Sequence, residues 1–321
     1  MTGTRRLTSL DGLRGAAALV VLLHHSLLLI PVMVEPYRHP PADQIGDGIW
    51  WLAYTPLHVF WDGSAAVMIF FVLSGFVLAL PLAQGRVLDW RSYYPSRLLR
   101  LYLPVWGGVA LASVVILITP HAAPEDVSDW VAGHPAGLSA GGVLKDLLLV
   151  WQPGYTNSAL WSLKWEVLFS LLLPLYAWVA SRWRAPLWMK LSVVGLIVAI
   201  GSLIGPPDRT YQMGPLFHMG TFAFGVLIAF DWHRVSKAIA ALSGKSLAVM
   251  WAAAVLGLWS YWGLNAFGEP PMPHVLSAVS RVVQVISAAL IVVLSTRPGR
   301  WTTALESRPL HWLGTRSFSL Y

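Results

Sequence analysis

Eight apolar stretches, most of them about twenty residues long, dominate the sequence. They run from about Gly15 to Val34, Ser64 to Ala83, Leu101 to Pro120 and Ser162 to Ser181, and then from Met189 to Gly205, Gly214 to Phe230, Ser246 to Leu264 and Ser277 to Thr296. As a helix, ~20 residues rise ~30 Å, the thickness of a bilayer's hydrocarbon core. Backbone polar groups in hydrocarbon must be satisfied within the segment, so each stretch is predicted to be helical. The short alternating segments of an outer-membrane barrel are absent. The fold class expected is all-α: a polytopic transmembrane helix bundle of about eight spans. It forms one integral-membrane domain over residues 1–321, and the sequence shows no internal repeat or low-complexity tract.

Composition sharpens this reading. Only 12% of residues are charged, against ~25% in soluble domains, too few to clothe a water-facing surface. The absence of cysteine removes disulfides, thiolate nucleophiles and Cys-ligated metal sites. Eighteen tryptophans suit the two membrane interfaces. The net charge of +7 is placed for topology rather than for nucleic acid. Residues 1–14, 84–100, 182–190, 231–245 and 297–321 hold 17 of the 22 basic residues, whereas most acids fall in the alternate loops. By the positive-inside rule the N-terminus is cytoplasmic and the protein is multi-pass in the plasma (inner) membrane. Arg5 and Arg6 precede an apolar run without a small-residue cleavage site, so this run reads as a retained first helix rather than a signal peptide.

Ionisable groups within the spans cost ~2.5–3.5 kcal/mol or more each, so each requires a reason. The candidates for function are His25, with its neighbour His24, Glu166, His218 and Arg281. Arg14 and His25 are eleven residues apart, three turns plus about 20°, and so share a helix face at roughly 16 Å along the axis. His24 sits about 80° off that face. His25 is therefore the histidine able to work with Arg14, and His24 is assigned a structural role. Glu166 has Ser162 one turn before it on the same face. Glu166, His218 and Arg281 are expected at similar depth in the outer half of the membrane, either as a polar cavity or with Glu166 and Arg281 as an ion pair tying two helices. Arg97 and Arg100 are spaced i, i+3 at the expected start of the third span. With Arg14 they form a positive cytoplasmic mouth suited to phosphate. Residue spacing alone leaves two functions open: passing a group across the membrane, or transport with a proton relay.

Several stretches carry a resemblance. LTSLDGLRGAAALVVLLHHS (7–26), IFFVLSGFVLAL (69–80), RLLRLYLP (97–104), LWSLKWEVLFSLLLPL (160–175) and LGTRSFSLY (313–321) resemble, in order, the motifs of acyltransferase family 3, the bacterial membrane-bound O-acyltransferases. FHMGTFAFGVLIA (217–229) resembles the family's Phe-x-x-Gly segment. The family's Arg-x10-His falls on Arg14 and His25, its Arg-x-x-Arg on Arg97 and Arg100, and its Trp-Ser-Leu-x-x-Glu on Trp161, Ser162, Leu163 and Glu166.

The resemblance implies transfer of an acyl group, commonly acetyl, from cytoplasmic acyl-CoA to a hydroxyl of an extracytoplasmic carbohydrate, glycolipid or small-molecule acceptor. It implies His25 and Glu166 as catalytic residues and Arg14, Arg97 and Arg100 as donor-binding residues. Ser162 and Trp161 are expected as supporting residues, and the membrane-cost argument adds His218 and Arg281. Acyl-CoA is a co-substrate; no bound cofactor, metal or nucleic-acid partner is expected. Two departures accompany it. The family's Gly-x-Asp before Phe-Phe-Val is missing, since residues 63–69 read GSAAVMI. The family also continues past the last motif into Leu-x-His-x-Pro and two final helices, so the chain is read as lacking those helices. The competing readings are a transporter or flippase, and an inactive, truncated relative.

Overall fold

The computed structural model describes residues 7–37, 47–119, 127–135, 137–206, 212–267 and 272–317. Arg38, Arg209, several loop acids used in the topology count and Phe318–Tyr321 of the last motif lie outside them. The described residues are helical, without strands. The long helices are α1 (Thr8–Leu27), α2 (Gly63–Ala83), α3 (Trp90–Ile118), α4 (Leu160–Arg182), α5 (Leu187–Ile204), α6 (Pro215–Phe230), α7 (Gly244–Phe267) and α8 (His274–Leu294). A short helix, α9 (Arg308–Arg316), follows. Six are long and apolar enough to cross a membrane, and up to eight if α1 and α6 are each counted with the short helix that follows them at a bend.

Each predicted apolar stretch coincides with one long helix, but two boundaries need correction. The first stretch is not one straight span from Gly15 to Val34. Its helix starts at Thr8 and ends at Leu27, and Pro31–Tyr37 leaves at an angle of 119°. Pro31 has no N–H for the ladder and holds Ile30 extended (φ −91°, ψ 119°), so the chain turns away. The third helix begins at Trp90 rather than Leu101, because Asp89 caps it by accepting from Arg91 N at 3.1 Å. Arg97 and Arg100 are therefore two turns inside α3, not at its start.

α2 is the central helix and packs against α1, α4, α6 and α8. Its closest partner is α6, where Gly75 faces the backbone of Phe222 and Gly225 faces that of Val72; a Cβ at either glycine would drive into a main-chain carbonyl. Small residues permit such approach where lipid supplies no hydrophobic drive between helices. Phe71 of α2, Phe222 of α6 and Phe169 of α4 stack at 4.3 and 4.4 Å between ring centres, locking three helices together. α3 is peripheral, burying only Leu101, Val105 and Val109 while Leu103, Leu111, Leu117 and Ile118 face outward.

The loop before α4 carries a nine-residue helix, Ala140–Leu148, too short to span a bilayer. The fully buried Asp146 carboxylate there accepts from Gly154 N, Tyr155 N, Thr156 N and Thr156 Oγ1 at 2.6–3.1 Å. This fixes the loop that enters α4.

Candidate active site

One cavity lies between α1, α2 and α4, enclosing about 490 Å³ including its open mouth. Helical repeats bring its walls together. α1 contributes Val21 and His25, four residues apart; α2 contributes Val67, Phe70, Phe71 and Ser74; Ala159 and, on α4, Trp161, Ser162, Leu163 and Glu166 complete it. The sequence-predicted His25, Trp161, Ser162 and Glu166 thus share one lining. The half-buried His25 has its ring 5.8 Å from that of Trp130.

His24 points elsewhere, as its phase demands. Its Nδ1 lies 3.1 Å from the Trp61 carbonyl oxygen, its ring stacks on Trp61, and it lies against Gly63, where a Cβ would collide with the imidazole.

Glu166 is 4% exposed. Its Oε1 accepts from Ser74 Oγ of α2 at 2.9 Å and from Arg97 Nη2 of α3 in a short ion pair. Arg97 Nε also donates to Ser170 Oγ at 3.1 Å, and that hydroxyl donates to the Glu166 main-chain oxygen at 2.7 Å. The ion partner of Glu166 is therefore Arg97, not the Arg281 considered from sequence. Arg97 accordingly does not project with Arg100 from a mouth. Its side chain is 10% exposed, while Arg100, 60° further round the helix, is exposed. A carboxylate alone in a bundle is costly, and the cation and hydroxyl compensate it.

The other predicted residues stand apart from the cavity lining. Arg14, three turns below His25 on α1, lies 3.7 Å from Asp11, which His311 of α9 also approaches at 3.8 Å. His218 is 1% exposed in an aromatic cage, 4.7 Å from the Trp165 ring and 5.6 Å from the Trp161 ring, and neither ring nitrogen makes a well-formed hydrogen bond. Arg281 lies 3.8 Å above the Tyr261 ring centre and donates to Gln284 Oε1 at 3.0 Å. Neither residue joins Glu166 in the cavity expected from similar depth, because depth says nothing of direction around the helix. Ser74 and Ser170 escaped the sequence reading. The signal for Ser74 was a lone hydroxyl inside IFFVLSGFVLAL.

Comparison with known proteins now bears on this site. The chain matches the acyltransferase 3 family model, an acyltransferase domain, over residues 7–321. It is similar to the peptidoglycan O-acetyltransferase OatA of Listeria monocytogenes, 24% identical over 98% of this chain and 48% of the relative. Nodulation protein 10 of Rhizobium leguminosarum bv. viciae is 25% identical over 63% of this chain and 57% of its own length. Acyltransferase MdmB of Streptomyces mycarofaciens is 31% identical over 53% of this chain and 39% of its own. The chain thus spans about half the length of the curated relatives it matches. No solved structure matches it. Because the family match takes in α1 to α9 and every residue of the cavity, the chain belongs to the acyltransferase 3 family.

Proposed function

We propose that the protein transfers an acyl group, acetyl foremost, from acyl-CoA to a hydroxyl of a carbohydrate or glycolipid acceptor. The observation that carries this reading is a cavity that His25 and Glu166 line together from different helices. His25 accepts the proton of the acceptor hydroxyl as its oxygen attacks the thioester carbonyl, forming a tetrahedral intermediate. The C–S bond then breaks, and the imidazolium returns the proton to the departing CoA thiolate, so no net proton is consumed. Imidazole suits both transfers near neutral pH. Glu166, bound to a cation and a hydroxyl donor, is an acceptor that orients a substrate hydroxyl or the His25 ring.

The charge asymmetry of the loops supports a cytoplasmic N-terminus and entry of the donor from that side. The exposed Arg100 is the arginine offered to its phosphates. Carbohydrate as the acceptor class is supported by the peptidoglycan O-acetyltransferase among the relatives. The test is release of free CoA thiol by the detergent-purified protein supplied with acetyl-CoA and a soluble muropeptide or oligosaccharide. Acceptor-dependent thiol release that is lost in His25→Ala supports the reading; release indifferent to His25 refutes it.

A further inference from the structure

Glu166 is held from two sides at once. Ser74 of α2 and Arg97 of α3 both bond to the same carboxylate oxygen, Oε1. Among the described residues both side-chain bonds to Glu166 converge on one oxygen, which leaves Oε2 for a ligand in the cavity that Glu166 lines. Arg97 is itself gripped at two nitrogens of one guanidinium edge by α4. One nitrogen binds the carboxylate and Nε binds Ser170, whose hydroxyl returns to the Glu166 carbonyl. The start of α3 is tied down in the same register, with Tyr93 Oη donating to Ser170 O at 3.4 Å and Tyr94 Oη to Leu171 O at 3.2 Å. A bidentate, buried guanidinium of this kind sets the direction of a carboxylate; an arginine that gathers phosphates from solvent needs exposure, as Arg100 has.

We propose that Arg97 is a positioning residue that acts through Glu166: with Ser74 it immobilises Oε1 so that Oε2 is presented, as an anionic acceptor, to the hydroxyl being acylated. The paired arginines of RLLR then divide their work, Arg97 serving the acceptor side of the reaction and Arg100 the donor. This inference rests on the acyl-transfer reading above.

A double-mutant cycle separates the possibilities. In membranes containing the full chain, kcat and both KM values are measured with acetyl-CoA and a muropeptide acceptor for wild type, Arg97→Gln, Glu166→Gln, the double variant and Arg100→Gln. Each single change at 97 or 166 is expected to lower kcat by ~100-fold, with the donor KM within ~3-fold of wild type. The double variant should be no worse than either single, because the two residues act as one unit. Arg100→Gln should instead raise the donor KM. If Arg97→Gln raises the donor KM at unchanged kcat and its effect multiplies with that of Glu166→Gln, Arg97 is a phosphate ligand and the proposal is overturned. Should Arg97→Gln not fold, Arg97→Lys and Ser170→Ala replace it. A several-fold fall in kcat with the donor KM unchanged supports positioning; wild-type kcat in both overturns it. A wild type that releases no CoA thiol defeats the acyl-transfer reading itself, whereas an active wild type with independent effects defeats only the role given to Arg97.

Discussion

The Arg97 guanidinium of α3 and the Glu166 carboxylate of α4 form a buried ion pair on the very oxygen that Ser74 of α2 also reaches, so three helices converge on one atom. That atom belongs to a side chain lining the same cavity as His25, which comes from a fourth helix. The candidate site is thus a product of the packing around α2, and its geometry depends on Arg97, which stands outside the cavity lining.

The two adjacent histidines should separate activity from stability. His25→Ala is expected to lower turnover by at least ~100-fold with the thermal midpoint little changed. His24→Ala removes the Trp61 contact and opens a gap beside Gly63, so ~2 kcal/mol of stability should go while the rate per folded molecule stays near wild type. Thermal unfolding in detergent and turnover normalised to folded protein test both halves.

At the α2–α6 crossing, Gly75→Leu or Gly225→Val places carbon against main-chain carbonyls that cannot step aside. The loss should exceed the ~1–3 kcal/mol typical of overpacking. Monodispersity on gel filtration and yield of folded protein should collapse, whereas Gly107→Ala, in open surroundings, should behave as wild type.

Asp146→Ala leaves three backbone N–H groups and the Thr156 hydroxyl without their acceptor. A loss above ~3 kcal/mol is expected, concentrated in the loop before α4. Hydrogen exchange over residues 149–159 should rise before the rest of the bundle responds. Unchanged protection there would show that the carboxylate does not hold the loop.

His58 supplies a pH dependence. It is fully buried between Trp61 and Trp262, with ring centres at 4.2 and 3.9 Å, and makes no well-formed side-chain hydrogen bond. Burial, helped by nearby His24, pushes its imidazole well below the ordinary value of 6.5. The unfolded chain therefore takes up this proton first. The stability owed to neutral His58 is complete above pH 6.5 and falls as the pH drops below it, by up to ~1.4 kcal/mol per unit. Asp62 contributes in the opposite sense: burial raises its carboxyl above 3.8, so its contribution to stability is full at low pH and declines as the pH rises through its folded value. His58→Phe keeps the aromatic stack and removes one titration, so wild type minus variant isolates the histidine. The wild-type midpoint should fall more steeply from pH 7 to 5; parallel curves would contradict the assignment.

Much of the fold and part of the site were legible in the sequence. Length and hydropathy located the eight long helices, because lipid imposes a strong one-dimensional signal. Helical phase alone separated His25 from His24, and the i, i+4 spacing put Ser162 on the same face as Glu166. What failed needed three-dimensional information. A hydropathy pattern does not see the polar first turns of α3, so Arg97 was expected at the start of the helix rather than two turns inside it against Glu166. Depth was used as a proxy for proximity, and it grouped Glu166 with Arg281 and His218, whose side chains face other partners. Ser74 was hidden because a lone serine in an apolar helix more often bonds its own backbone.

The most direct measurement follows label from donor to acceptor across the membrane. Inverted vesicles carrying the protein would receive CoA thioester-linked labelled acetyl groups, with wild type, His25→Ala and His24→Ala compared. Ester-linked label in extracted glycan or glycolipid, with stoichiometric free CoA, is expected for wild type and His24→Ala, and neither product for His25→Ala. Label transferred equally by His25→Ala, or glycan movement without any consumption of acyl-CoA, would contradict this expectation.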